Sequence, residues 1–242
     1  MPMTPVQHYQ SASYSHVGMV RQVNEDACLA VPESGLWAVA DGMGGHAAGD
    51  YVSSLIVDAL RRIPASPSLP VYSNALRLAL DQVNALVRDQ AQLRGIGMMG
   101  STVVLLAARG SQGMCLWAGD SRLYRLRGGQ LTGVSRDHSY VQELVDSGLL
   151  TDAEARLHPR ANIVTRAIGV GNELELDSAF LHILPGDTYL LCSDGLNKTA
   201  EDHEIRDVLC HSDAYAVVRS LVHLGLTRGA PDNITAVVIK AS

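Results

Sequence analysis

The sequence predicts an α+β fold in which antiparallel sheets keep their helices on the outside. Three observations point there. Short apolar runs of strand length outnumber the helical stretches. The order runs strands, two helices, many strands, a helical insert, strands, helices and a last strand, with no regular βαβ alternation. Glycine-rich turns such as Gly128-Gly129 and Pro185-Gly186-Asp187 separate neighbouring strand runs, which is how antiparallel hairpins are closed. At 242 residues, 47% of them apolar, the chain is expected to form a single domain, 1–242.

In order, Met1 to Gln7 carries two prolines and is expected to be a loose end, and the weak alternation of Tyr9 to His16 suits an edge strand. Residues 27–31 and 36–40 are apolar and flank a turn at Pro32, so they should pair. Val52, Leu55, Ile56, Ala59, Leu60 and Ile63 recur at helical spacing across 47–63. Pro64, Pro67 and Pro70 break that helix, and Ser73 is the expected cap of a second one, with face Leu76, Leu80, Val83, Leu86 and Val87, closing at Gly95.

The middle of the chain reads as β. Thr102–Ala108 and Met114–Ala118 are apolar runs, and Leu123–Arg127 alternates into the Gly-Gly hairpin turn, with 130–134 returning. Ser139-x-x-Gln142 and Thr151-x-x-Glu154 then read as capping boxes of two short helices, with Gly148 as a stop between them. This insert, about 139–166, is a candidate lid. Phe180–Leu184 and Thr188–Cys192 are expected to form one more hairpin through the Pro-Gly-Asp turn. Ala200–Cys210 and Asp213–Arg228 read as helices, the latter stopped at Gly229, and the last strand runs to about Lys240.

Net charge is −6 without any basic run, which argues against a nucleic-acid or anionic-membrane surface. No apolar stretch approaches the ~20 residues of a membrane helix, and no basic-then-apolar leader opens the chain. Cys28, Cys115, Cys192 and Cys210 are widely spaced without a Cys-x-x-Cys pair, so a reduced, cytoplasmic protein without a zinc site is expected.

The chemistry lies in a recurring pattern: an apolar run, a small residue, then aspartate. It occurs at Trp37-Ala38-Val39-Ala40-Asp41-Gly42, at Trp117-Ala118-Gly119-Asp120 and at Leu191-Cys192-Ser193-Asp194-Gly195, while Asp232 opens the final strand and Asp26 ends Asn24-Glu25-Asp26. Gathered by one fold, five carboxylates at strand ends would repel one another unless a cation neutralised them. Aspartates with a backbone carbonyl and no Cys or His triad suit a hard cation, Mg²⁺ or Mn²⁺ rather than Ca²⁺. Two such ions ~3.5–4 Å apart can clamp a phosphoryl group. Asp41 is the natural bridging ligand, with the carbonyl of Gly42 beside it, and the planar fork of Arg21 suits two phosphate oxygens.

These residues also carry a resemblance. Val20-Arg21-x-x-Asn24-Glu25-Asp26, Asp41-Gly42-Met43-Gly44-Gly45, Gly97-Met98-Met99-Gly100-Ser101-Thr102, Gly119-Asp120-Ser121-Arg122, Ser193-Asp194-Gly195-Leu196 and Asp232-Asn233-Ile234-Thr235 follow one another in family order. Together they make the chain similar to the bacterial branch of the metal-dependent, type-2C-like serine/threonine protein phosphatases. The resemblance implies two packed antiparallel sheets flanked by helices, with a metal centre at one end. It implies that Asp41 bridges two ions, Gly42 lends its carbonyl, and Asp194 and Asp232 complete the metal ligands. Glu25 and Asp26 would act through water in the outer shell, and Arg21 would bind substrate phosphate; Arg21, Asp26 and Asp41 form the candidate catalytic set. Asp120, with Asp194, is the candidate ligand of a third ion, the alternative being an ion pair of Asp120 with Arg122. Met43 stands where animal and plant members commonly have a histidine, so the general acid is open between a water on the ions and His46. His138 and His158 are expected to be structural. The insert matches the family's flap.

The function so implied is hydrolysis of phosphoserine and phosphothreonine in proteins with Mn²⁺ or Mg²⁺, by direct attack of water. The implied partners are phosphorylated proteins and a cognate serine/threonine kinase, with bacterial type VI secretion as the candidate setting, and a monomer is the default. A catalytically silent binding protein and a phosphatase of small metabolites are the alternatives.

Overall fold

The computed structural model describes residues 8–44, 48–95 and 97–242. Two antiparallel sheets pack face to face, with helices on both outer faces. Strands β1 (Tyr9–His16), β2 (Asp26–Val31) and β3 (Leu36–Met43) come first, a 3-10 turn at Pro32–Ser34 joining the last two. Helices α1 (Gly49–Arg61) and α2 (Leu69–Arg94) follow. Then come β4 (Gly100–Ser101), β5 (Val103–Arg109), β6 (Gln112–Ala118), β7 (Arg122–Arg127) and β8 (Gln130–Gly133). The insert holds α3 (Tyr140–Asp146) and α4 (Asp152–Leu157). The chain closes with β9 (Asp177–His182), β10 (Thr188–Cys192), α5 (Asp194–Asn197), α6 (Asp202–Leu209), α7 (Ala214–Thr227) and β11 (Ile234–Ala241).

Among the described residues one sheet has the order β1-β11-β10-β7-β8, and the other β2-β3-β5-β6-β9 with β4 paired to β3. Alternation along each strand divides its side chains between two cores. In β3, Trp37 and Val39 point between the sheets while Ala38 and Ala40 point at α1 and α2. In β10, Tyr189 and Leu191 join the inter-sheet core, and Leu190 and Cys192 meet α6 and α7. Both faces of the central strands are thus covered, which is why these strands read as unbroken apolar runs rather than as alternating ones. With little Phe to fill them, the outer cores are aliphatic: Val52, Ile56 and Leu60 of α1 lie against Leu76 and Leu80 of α2.

Most sequence expectations meet their elements here, and two are corrected. The second helix starts at Leu69, capped by the Ser68 side chain on the Val71 amide, with Pro70 inside its first turn. Proline there costs nothing, because its missing N–H would have had no intrahelical partner. Ser73 is therefore not the cap; its hydroxyl donates to the Pro70 carbonyl within the helix. The helix does close at Gly95, whose φ of 63° is a left-handed conformation that other residues resist.

The second correction concerns β9 and β10, which do not form a hairpin. β9 pairs with β6 in one sheet and β10 with β7 and β11 in the other. The Pro185-Gly186-Asp187 turn crosses between the sheets, and Asp187 is 1% exposed inside it. The β2–β3 and β7–β8 pairings are as expected. In the insert, Thr151 and Glu154 form a complete capping box, and the Ser139 side chain caps α3 at the Gln142 amide. Residues 1–7, read as a loose end, lie outside the described residues.

Candidate active site

Strand pairing decides which carboxylates meet. Asp26 and Asp41 face each other in register where β2 begins and β3 nears its end. β10 and β11 are neighbours, with Cys192 opposite Ala236, so Asp194 just after β10 and Asp232 just before β11 come to the same end of the second sheet. Packing the two sheets then joins both pairs. Ser193 shows the join: its hydroxyl donates to Asp26 Oδ2 at 2.8 Å, and it accepts from the Thr235 amide at 2.9 Å. Asn233 makes a second join. Its side-chain oxygen accepts from the Glu25 amide at 2.8 Å, while its amide group donates to the Val17 and Val23 carbonyls. Asp41 is held through its backbone, its N–H donating to Thr102 Oγ1, which shares a hydrogen with Ser121.

Gly42 fits this site because nothing larger would. A Cβ there would lie 2.2 Å from the Gly49 carbonyl oxygen and 2.6 Å from that of Glu25. The strand end and the first turn of α1 can close on each other only across a bare backbone.

Electrostatics give the fit test for a cation. Burial pushes the Asp26 carboxyl up to about 7; hydrogen bonds from Thr235 and Ser193 oppose the shift, and repulsion from Asp194 and Asp232 adds to it. Burial raises Asp41 well above the carboxylate range, reinforced by Asp26, Asp194, Asp120 and Asp232. Asp120 is likewise raised to about 7, chiefly by burial and then by Asp194, with Lys198 working against the rise. One oxygen of this group, Asp26 Oδ1, is buried without a hydrogen-bond partner. Mutually repelling, buried, under-satisfied carboxylates are the donor set of Mg²⁺ or Mn²⁺, so the residues present fit such ions.

The chain's own cations already touch this set. Arg21 Nη2 donates to Asp232 Oδ2 at 2.8 Å, and the Lys198 ammonium reaches both Asp194 and Asp120. With the side chains so arranged, no three His, Cys, Asp or Glu groups among the described residues close on one point as a ready-made ion cage. An ion held here would compete with Arg21 for Asp232, while Asp194 has a second oxygen beside the one that Lys198 holds.

The remaining predicted residues are placed as follows. Arg122 makes a two-pronged bond to Asp137, with Nε to Oδ1 at 2.7 Å and Nη2 to Oδ2 at 2.8 Å, so the alternative pairing with Asp120 does not occur. Glu25 lies against α1, where a Cβ on Gly49 would come within 2.6 Å of its Oε1. His138 stacks on Trp117, accepts from the Gly119 amide through Nδ1 and meets Asp177 through Nε2, a structural role. His158 accepts from the Arg160 amide and packs on Tyr140 in the insert. His46 and Gly45 lie outside the described residues. Sequence reasoning missed Ser193, Asn233 and Lys198. The first two are polar residues next to motif aspartates and buried to 0% and 5% exposure; Lys198 stands four residues after Asp194, the spacing of a helical ion pair.

Comparison with known proteins agrees with this geometry. The Protein phosphatase 2C family profile matches residues 14–224. The serine/threonine protein phosphatase PstP of Mycobacterium tuberculosis is 38% identical over 231 residues, covering 94% of this chain; the chain spans only 44% of that relative's length. The structure of PppA, described as a key regulatory component of T6SS in Pseudomonas aeruginosa, superimposes with a TM-score of 0.93 at 72% identity, covering 98% of this chain and 99% of that one. A structure of the PstP catalytic domain in complex with two manganese ions gives a TM-score of 0.89 at 34% identity, covering 98% and 99%. Two packed antiparallel sheets with outer helices are therefore a shared architecture, and the chain belongs to the protein phosphatase 2C family.

Proposed function

We propose that the protein is a Mn²⁺- or Mg²⁺-dependent serine/threonine protein phosphatase that removes phosphate from phosphoserine and phosphothreonine in proteins. The observation that carries this reading is the convergence of Asp26, Asp41, Asp194 and Asp232, with one buried Asp26 oxygen unpartnered, beside the exposed fork of Arg21.

Asp41, Gly42, Asp194 and Asp232 would hold two ions, with Glu25 and Asp26 behind them. When bound, the ions supply a nucleophilic water and neutralise charge on the phosphoryl group. The chain's residues do the rest. Arg21, freed from Asp232, offers a planar fork to two phosphate oxygens and so orients phosphorus for in-line attack. Ser193 holds Asp26 in place through its hydroxyl. Thr102 fixes the strand end that carries Asp41, donating its own amide to the Asp41 carbonyl at 2.9 Å. The insert, anchored at its base by the Ser139–Val164 bridge, stands over this end as the element that selects substrates.

The relatives support a setting for this activity. Phosphatases of serine and threonine in proteins act opposite a kinase, and the 72% identity to the T6SS component PppA supports a type VI secretion kinase as that partner. No helix among the described residues is long and apolar enough to cross a membrane, which agrees with work in the cytoplasm. The test is hydrolysis of a phosphothreonine peptide and of small phosphorylated metabolites, side by side, with Mn²⁺ and with chelator. Peptide turnover that needs metal and exceeds metabolite turnover is expected. Chelator-resistant turnover, or full activity in Asp194→Asn, would refute the reading.

A further inference from the structure

We propose that Lys198 is a built-in cation that takes the place of a third divalent ion between Asp120 and Asp194 and latches the insert to the acidic end. The inference rests on the two-ion reading above and adds a role to a residue that reading does not use.

Lys198 follows the single turn of α5 that Asp194 begins, and this spacing aims its side chain back over Asp194. Its ammonium donates to Asp194 Oδ2, lies 3.3 Å from Asp120 Oδ2, and donates to Asn162 Oδ1 at 2.9 Å. An ammonium has three protons, and here three acceptors meet them. Two of these belong to the acidic end and the third belongs to the insert. The Asp120 side chain is 4% exposed and that of Asp194 16%, so water can do little to screen their repulsion, whereas a cation between them can. Arg122, the other cation near Asp120 in sequence, is committed to Asp137 and Tyr124. A divalent ion seated between Asp120 and Asp194 would have to expel the ammonium or share its space against like charge. Two ions elsewhere at the site need no such expulsion, since Asp194 has a second oxygen and the Lys198 ammonium bonds to Asp120, Asp194 and Asn162 rather than to Asp41 or Asp232.

The link to Asn162 makes the same side chain a positioning residue for the insert. Asn162 precedes Ile163, whose carbonyl accepts from the Tyr140 amide at the start of α3, so holding Asn162 holds the closing end of the insert. The arrangement of the insert is thereby tied to the presence of the Lys198 ammonium between Asp120 and Asp194.

Native mass spectrometry and calorimetric titration with Mn²⁺ test the proposal on the full chain, with hydrogen exchange reporting on the insert. The wild type is expected to saturate at two ions per chain. Lys198→Met should admit a third, weaker ion that is lost again when Asp120→Asn is added, and amides near 160–165 should exchange about tenfold faster. Asn162→Ala should speed the same amides while leaving the count at two. Three ions on the wild type, the third lost in Asp120→Asn, would overturn the proposal, as would an unchanged count in a folded Lys198→Met. Should Lys198→Met not fold, manganese anomalous scattering from wild-type crystals decides: two peaks away from Lys198 support it, and a peak between Asp120 and Asp194 defeats it. A wild type that binds no Mn²⁺ at all would instead refute the two-ion reading itself.

Discussion

Aspartates gathered near the two ends of β10 are treated in opposite ways. At its start, Asp187 receives Arg127 Nε on Oδ1 at 2.7 Å and Arg127 Nη2 on Oδ2 at 2.6 Å, plus the Leu184 amide and the Tyr189 hydroxyl. Burial works against its charge, yet Arg127, Leu184 and Tyr189 outweigh it and hold the carboxyl below its ordinary range. At the other end, beyond Ser193, burial and mutual repulsion push Asp26, Asp41 and Asp120 up instead. Asp187 shows that this fold can satisfy a buried carboxylate fully when the task is structural. The end it leaves under-satisfied is where an outside cation belongs.

Exchanging roles between the ends gives the largest expected effects. Asp187→Asn should lower stability by ~1.5–3 kcal/mol, because charge-assisted bonds from Arg127, itself partly exposed, are lost, while the folded fraction keeps its activity. Asp194→Asn should do the reverse: activity falls at least ~100-fold, and the metal-free protein is no less stable. Urea unfolding and phosphopeptide turnover on both variants measure this; inactivity of a folded Asp187→Asn would break the contrast.

A smaller effect is the opposite pH dependence of the two ends. In chelated protein, Asp26 and Asp120 bind protons up to about 7 when folded but only to the ordinary carboxylate value when unfolded. Their stabilisation is thus full below ~4 and lost as pH rises toward 7, by a few kcal/mol for the coupled group. Asp187 contributes above the ordinary carboxylate value and loses its contribution as pH falls through its depressed one. Urea midpoints from pH 3 to 8 should rise, then decline, and Mn²⁺ should shrink the decline, since cations beside these carboxylates favour their ionised form. A chelated midpoint flat from pH 5 to 7.5 would contradict this account.

The smallest expected effect is at Arg21. Arg21→Ala should raise KM ~10-fold, with the Mn²⁺ count unchanged. A lost ion would mean that Arg21 serves the Asp232 end as a structural counter-charge rather than the substrate.

The sequence made the acidic end legible because its aspartates stand at the ends of apolar runs, and the edges of packed sheets bring such ends together. The β2–β3 pair could be read because a short turn leaves no other partner near. The β9–β10 relation could not: Pro-Gly-Asp signals a reversal without saying which sheet receives the next strand, and β10 joins β7 and β11, where Asp187 meets Arg127 across 60 residues. The start of α2 slipped because Ser68 and Ser73 are both competent caps, and the proline between them sits where a helix tolerates it. Lys198 was invisible for another reason. A lysine after an Asp-Gly turn has a meaning only once Asp120 and Asn162 are folded beside it.

The position of β11 bears on how the protein is made. This strand lies between β1 and β10, pairing Tyr9 with Ala241 on one side and Thr188 with Lys240 on the other. A nascent chain that has yet to add residues 234–241 leaves two strands with open edges, and a contact spanning more than 200 residues forms late. Asp232 arrives on the same segment. Closure of the sheet and assembly of the acidic end are therefore one event, and a chain that lacks residues 232–241 has neither.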